Sequence, residues 1–204
     1  MTARIVVLAS GNGSNFQALV DAGEAGTLDA SVVGLVCNRG DAFALERAAA
    51  KGVPTAVLAP EPGELRPVYD ARLADVVAAM TPDLIVLAGW MRLLSMPFLG
   101  RFPQRVINLH PALPGQFPGT HAIERALDAA QRGEIDHTGV MVHFVPDEGV
   151  DDGPAIATAT VPIEPGDTID SLSERTHAVE RALLVRAIGE TISRAPWRAG
   201  PVSS

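Results

Sequence analysis

The 204-residue chain contains one cysteine and one lysine, and each scarcity excludes chemistry. Cys37 lies in the apolar run 32–37 and has no second cysteine with which to form an internal disulfide or a paired-cysteine zinc site. That usage fits a reduced, cytoplasmic setting. Fifteen of the 16 basic residues are arginine, so a Schiff base or a phosphate-loop lysine would have only Lys51 to use. Basic charge as a whole is in deficit: 16 Lys and Arg against 24 Asp and Glu leave a net charge of -8, the wrong sign for neutralising nucleic-acid phosphates. Long apolar runs are missing too. No stretch approaches the ~18 residues that span a bilayer, and the first nine residues are too short for the apolar core of a signal peptide. The expectation is a soluble protein with small-molecule partners, no nucleic acid and no membrane.

What is present suffices for a folded domain. Hydrophobic residues are 47% and charged residues 20% of the chain, enough to bury a core. The length fits one domain on a scale of roughly 100–200 residues each, with residues 1–195 as the domain and a tail over 196–204. Near-continuous apolar runs at 4–9, 32–37, 53–58, 84–88 and 106–109 read as strands covered on both faces. Amphipathic stretches at 16–25, 42–51, 68–80 and 95–102 lie between them as crossover helices. A helix over 121–132 leads to strands at 138–145 and 155–161, whose link of about nine residues is too short for a crossover. Asp167 is positioned to cap a last helix over 168–193, with Ile169, Leu172, Thr176, Val179, Leu183, Ala187 and Ile188 on one face. The fold class is therefore α/β: a single-domain, Rossmann-like open sheet, mostly parallel with an antiparallel C-terminal strand, and helices on both faces.

Three constellations carry chemistry. Ser10-Gly11-Asn12-Gly13-Ser14-Asn15 joins the first strand to the first helix, where small residues and helix N-terminal N–H groups suit a phosphate. Phe16 replaces the third glycine of a dinucleotide fingerprint, and Cys37-Asn38-Arg39 ends the second strand without a ribose-binding carboxylate, so NAD is disfavoured. A turn that merely connects strand to helix is the alternative. In Val106-Ile107-Asn108-Leu109-His110-Pro111, Asn108 and His110 are two apart on a strand and face one way. Imidazole can move a proton near neutral pH, and an amide can donate to a carbonyl oxygen turning into an oxyanion, a pair suited to acyl transfer. The third is the acidic turn 146–153. With the sixth strand taken as parallel to the fifth, it opens at the same carboxyl edge and can bring Asp147, Glu148, Asp151 or Asp152 to the histidine. Spacing does not choose among them. His143, between Val142 and Phe144, reads as a satisfied buried side chain, and no spacing among the five histidines suggests a metal cage.

Together, Ser10-Gly11-Asn12-Gly13-Ser14-Asn15, Ala88-Gly89-Trp90-Met91-Arg92, Ile107-Asn108-Leu109-His110-Pro111 with Phe117-Pro118-Gly119, and Val150-Asp151-Asp152-Gly153-Pro154 closely resemble the phosphoribosylglycinamide formyltransferases of purine biosynthesis. The match runs in order over about residues 4–190. The resemblance implies transfer of a formyl group from 10-formyltetrahydrofolate to the amine of glycinamide ribonucleotide without a metal. It implies catalytic roles for Asn108, His110 and Asp151, a ribonucleotide phosphate held by Gly13, Ser14 and Asn15, and a ribose contact from Glu180. On the folate side it implies Arg66, the wall Met91, Arg92, Leu93 and Leu94, and the loop Asp147, Glu148, Gly149 and Val150. A homodimer is compatible with it. One departure is visible: Leu113-Pro114-Gly115 stands where the family reads Leu-Leu-Pro. The rival expectations are another formyl-folate enzyme, either methionyl-tRNA formyltransferase or formyltetrahydrofolate hydrolase, and a non-catalytic nucleotide-binding module. The first two resemble chains with an added C-terminal RNA-binding domain and an added N-terminal regulatory domain respectively.

Overall fold

In the computed structural model, which describes residues 2–194, seven strands form one sheet in the order β3-β2-β1-β4-β5-β6-β7. The strands are β1 (Ala3–Ala9), β2 (Ala30–Cys37), β3 (Thr55–Val57), β4 (Leu84–Leu87), β5 (Val106–His110), β6 (His137–Phe144) and β7 (Ala155–Pro162). The helices between and after them are α1 (Ser14–Glu24), α2 (Phe43–Ala50), α3 (Arg66–Ala79), α4 (Met96–Leu99), α5 (Ala122–Gln131) and α6 (Ile169–Arg194). β1 to β5 are mutually parallel. The expected tail, 196–204, and the domain boundary at 195 lie outside the described residues.

Alternation along the strands divides the core into two layers. Ile5, Val7, Leu35, Val86 and Ile107 face one layer, which α1, α2, α5 and α6 cover. Val6, Leu8, Val36, Ile85 and Val106 face the other, where Tyr69, Leu73 and Val77 of α3 and Phe98 and Leu99 of α4 pack. Near-continuous apolar strands follow directly from coverage on both faces.

Two expectations need correction. β6 is antiparallel to β5, with Ile107 opposite Phe144 and His110 opposite Met141, not parallel to it. β7 is then antiparallel to β6, as the short link requires. The turn after β6 consequently starts beside the beginning of β5, where the Val145 N–H donates to the Val106 carbonyl at 2.9 Å. The cap of α6 is Thr168, not Asp167. Thr168 Oγ1 accepts from the Ser171 N–H at 3.2 Å while Ser171 Oγ accepts from the Thr168 N–H at 3.0 Å, a reciprocal cap. Asp167 is turned to Arg175, which donates to both its oxygens at 2.7 and 3.0 Å, and the hydrogen bonds from that guanidinium hold its carboxyl below the usual carboxylate range.

The order of strands reverses around β1, which lies between β2 and β4. Open α/β sheets form their binding crevice at the carboxyl ends of strands beside such a reversal. In this sheet those ends are Ala9, Leu87 and His110.

Candidate active site

Alternation places Asn108 and His110 on the α3/α4 face of β5, since Ile107 and Leu109 face the other layer. The antiparallel register sets His143 directly opposite Asn108, and Val140 and Val142 face the other layer, so His143 shares the same face. α3 and α4 pack over β1, β4 and the start of β5, which leaves this part of the sheet for the turn after β6 to fold across.

That turn delivers Asp151. Its Oδ1 accepts from Asn108 Nδ2 at 2.9 Å, and its Oδ2 accepts from the Gly119 N–H at 2.8 Å and lies 3.2 Å from His110 Nδ1. Of the four acidic residues of the turn it is Asp151 whose carboxylate reaches Asn108 and His110, from a backbone at φ 54, a left-handed conformation that a short polar side chain tolerates better than most. Among the described residues no hydrogen bond or ion pair joins Asp147, Glu148 or Asp152 to His110, whose side-chain partners are Phe117 and Asp151.

His143 is buried with both ring nitrogens partnered, as its sequence position suggests, but sequence reasoning did not place it in this cluster. Its Nδ1 lies 2.9 Å from the Phe144 carbonyl, which accepts and so assigns the proton to Nδ1. Nε2 is left as the acceptor, 3.2 Å from Asn108 Nδ2. Both amide protons of Asn108 are therefore engaged, one by Asp151 and one by His143. The available signal was a histidine near the end of an apolar strand, but only the strand's direction brings it opposite Asn108.

The charges of the cluster are set by competing effects. Burial alone would push the Asp151 carboxyl up, but the His143 and His110 rings in their protonated forms, together with the Gly119 N–H, outweigh it and hold Asp151 below its ordinary value. For His110, burial pushes the ring below the ordinary histidine value, and the Asp151 charge and the Phe117 carbonyl offset only part of this. His110 Nε2 lies 3.1 Å from the Phe117 oxygen. A neutral ring with its proton on Nδ1 thus meets that carbonyl with a lone pair. Taking up a proton there would satisfy both partners, while desolvation opposes it, so the ring is poised to exchange a proton.

The cluster lies against a cavity of about 640 Å³. Met91, Arg92, Leu93 and Leu94 line one side, and Asp147, Gly149 and Val150 another. Met91 is 67% exposed and Leu93 48%, an unusual display of apolar surface beside a polar cluster. Arg66 and Glu148 do not line the cavity. They pair with each other beside it, and Glu148 Oε1 accepts from the Met96 N–H at 3.0 Å.

The glycine turn is tied to the same wall: the Ser10 N–H donates to the Gly89 carbonyl at 2.9 Å, and Ser10 Oγ accepts from the Met91 N–H at 3.0 Å. Gly13 precedes α1 with φ 76, and a Cβ there would fall 2.6 Å from the Ala44 Cβ, so both conformation and space require glycine. No side chain caps α1. Ser14 lines a second cavity of about 590 Å³ that runs along α1 and α6, with Asp21, Arg47 and Arg181 as its charged side chains. Arg47 also braces the turn, donating to the carbonyl and side-chain oxygens of Asn12 at 2.9 and 3.1 Å. Asn15 does not touch His110. Its Nδ2 donates to Glu180 Oε2 at 3.0 Å, and Glu180, at 6% exposure, is pushed up by burial against the partial relief of that bond. Among the described residues no group of three His, Cys, Asp or Glu could hold a metal, and no helix is long and apolar enough to cross a membrane.

Comparison with known proteins gives this geometry its family. A model described as formyl transferase matches residues 3–188. The chain is 47% identical over 207 residues to a phosphoribosylglycinamide formyltransferase of Schizosaccharomyces pombe, covering 95% of this chain and 99% of that one. It is 41% identical over 179 residues to the enzyme of the same name from Escherichia coli, covering 88% and 82%. A crystal structure of glycinamide ribonucleotide transformylase 1 from Symbiobacterium toebii superposes with a TM-score of 0.87 at 40% identity, covering 92% of this chain and 86% of that one. The chain belongs to the formyl transferase family and, within it, to the phosphoribosylglycinamide formyltransferases.

Proposed function

We propose that the protein transfers the formyl group of 10-formyltetrahydrofolate to the amine of glycinamide ribonucleotide by direct attack. The observation that carries the proposal is the convergence of Asn108, His110 and Asp151 on one cavity whose wall is bonded to the glycine turn before α1. The amine lone pair forms a bond to the formyl carbon, and the carbonyl electrons move to oxygen. Asn108 donates to that oxyanion. Because both its protons are engaged at rest, the one shared with His143 Nε2 over 3.2 Å, the longer contact, is the one that exchanges. His110 accepts the proton released by the amine and returns it to the folate nitrogen as the carbon–nitrogen bond to folate breaks. Asp151 fixes the ring through Nδ1 and stabilises its protonated form.

In this reading the folate lies along Met91, Arg92, Leu93 and Leu94 and under Asp147, Gly149 and Val150, with Arg66 and Glu148 at the rim. The ribonucleotide phosphate lies at Gly13, Ser14 and Asn15 within the field of Arg47 and Arg181, and Glu180 accepts from a ribose hydroxyl. The reaction is cytoplasmic and needs no metal, and a homodimer is compatible with it.

The test mixes purified protein with 10-formyltetrahydrofolate and glycinamide ribonucleotide and follows deformylated folate. Appearance of product only when the amine is present is the expected result. Product without the amine would indicate a hydrolase, and no product would refute transfer. His110→Ala should lower turnover by about 10²–10⁴-fold and Asn108→Ala by about 10²–10³-fold. Near-normal turnover in either variant would overturn the role assigned to that residue.

A further inference from the structure

The wall formed by residues 91–94 is held at both ends, and the second anchor is a buried carboxylate remote from the catalytic cluster. Asp70 of α3 is fully buried, at 0% exposure. Its Oδ2 accepts from the Ser95 N–H at 2.7 Å and from Ser95 Oγ at 2.6 Å. Ser95 occupies the N-cap of α4, where a serine oxygen ordinarily accepts from the helix's own N–H groups, yet no such cap bond forms. Its hydroxyl donates to α3 instead. The other anchor is Ser10, through Met91. Between them Trp90 and Leu94 are buried against α3 and α4, while Met91 and Leu93 turn out to the cavity. The residue before Asp70 grips the same segment: the Arg92 guanidinium lies 4.5 Å from the centre of the Tyr69 ring.

From this geometry we infer that Asp70 is a positioning residue for the donor side of the cavity, acting through Ser95 to fix the 91–94 wall on which the formyl-folate lies. The inference rests on the proposed function for the identity of the ligand. Asp70 touches neither Asn108 nor His110, so its loss should change how the donor is held and leave the chemical step largely intact. An asparagine at 70 preserves volume and one acceptor, but it puts two N–H donors where the second carboxylate oxygen has no partner, and it removes the charge that strengthens both Ser95 bonds.

The experiment compares wild type, Asp70→Asn, Ser95→Ala and the double variant in steady-state formyl transfer. In parallel, quenching of tryptophan fluorescence by the donor analogue 10-formyl-5,8-dideazafolate, added without glycinamide ribonucleotide so that no acceptor is present, reports on binding. Expected for Asp70→Asn is a KM for 10-formyltetrahydrofolate and an analogue Kd raised about tenfold, the scale of one charge-assisted hydrogen bond, with kcat within about threefold of wild type and the KM for glycinamide ribonucleotide unchanged. Ser95→Ala, a smaller change that keeps the backbone N–H bond, should shift the same two quantities less, and the double variant no more than Asp70→Asn alone. Variants that lose thermal stability but keep wild-type KM and Kd for the donor side would overturn the inference, as would a fall in kcat at unchanged KM or an equal rise in both KM values. If wild type transfers formyl and only these shifts fail, the inference alone is wrong. If wild type neither transfers formyl nor binds the analogue, the proposed function is wrong and the inference falls with it.

Discussion

Replacing Asp151 by asparagine should disable the site through hydrogen-bond mismatch as well as through lost charge. The carboxylate faces donors on both oxygens: Asn108 Nδ2 at 2.9 Å on Oδ1, and the Gly119 N–H at 2.8 Å and His110 Nδ1 at 3.2 Å on Oδ2. An amide offers one acceptor. With its oxygen at the Oδ2 position, the new NH₂ group faces the Asn108 NH₂ group; with its oxygen at Oδ1, the NH₂ group faces both Gly119 and His110. The first arrangement has one clash of donors and is preferred. An unsatisfied buried donor costs about 1–3 kcal/mol, and the strain falls on Asn108, the proposed oxyanion donor. Together with the detuned proton carrier, this should lower kcat by about 10²–10⁴-fold. The sign of the pH effect follows from the same contacts. Burial lowers the His110 pKa and the Asp151 charge is the largest of the effects that oppose it, so removing that charge leaves only the Phe117 and Gln116 carbonyls against burial and lowers the pKa further. The acidic limb of the kcat/KM profile, which reports loss of the neutral base, should move to lower pH. NMR titration of the His110 ring in wild type and Asp151→Asn measures the shift directly, and steady-state assays measure turnover. Turnover within about tenfold of wild type with an unmoved or raised His110 titration would refute the coupling.

Further outcomes can be checked on the ribonucleotide side. Gly13→Ala should destabilise the fold by at least the ~1–2 kcal/mol of a left-handed residue with a Cβ, because that atom also meets the Ala44 Cβ at 2.6 Å. Chemical denaturation measures this loss, and the KM for glycinamide ribonucleotide should rise with it; wild-type stability would show that α2 yields more easily than its packing suggests. Glu180→Gln should raise the same KM while stabilising the protein near neutral pH. The buried carboxyl is pushed above its ordinary value, so the folded state holds the proton more tightly and stability falls as pH rises from the ordinary glutamate range through the raised one. Melting temperatures at about pH 5 and about pH 7 should show the variant gaining on wild type as pH rises. A variant no more stable at the higher pH would contradict the burial argument.

Much of this architecture is legible in the sequence because each layer leaves a local trace. Val6 and Val7 face opposite layers and both are buried, so β1 reads as an unbroken apolar run, and the same holds for β2, β4 and β5. Asn108 and His110 share a face by their spacing alone. Glu180 also leaves a trace, since it occupies the buried stripe of α6 between Thr176 and Leu183, where a lone carboxylate signals a polar partner. The partner, Asn15, is 165 residues away and leaves none. The choice among the four acidic residues of the 146–153 turn is likewise closed to spacing. It depends on the left-handed backbone at Asp151 and on a Gly119 N–H supplied by a different loop. The cap of α6 shows the same limit at short range: Asp167 and Thr168 are both good capping residues, and Arg175, farther along the helix, draws the aspartate away.

The direction of β6 is where sequence reasoning errs, and the error explains why His143 reads as bland. If β6 ran parallel to β5, the acidic turn would leave from the carboxyl edge beside His110, and His143 would lie near that edge without a fixed partner. Antiparallel pairing makes His143 the cross-strand neighbour of Asn108, with Cβ atoms within reach of a direct side-chain contact. It also starts the turn at the far end of β5, so Asp151 reaches the site by returning over the sheet face. On that path Glu148 bonds to the Met96 N–H and pairs with Arg66. The reversal thus does two things that a parallel strand could not do together. It gives the amide of Asn108 a second acceptor, and it ties the loop carrying Asp151 to the helix that also holds the opposite wall of the cavity through Ser95.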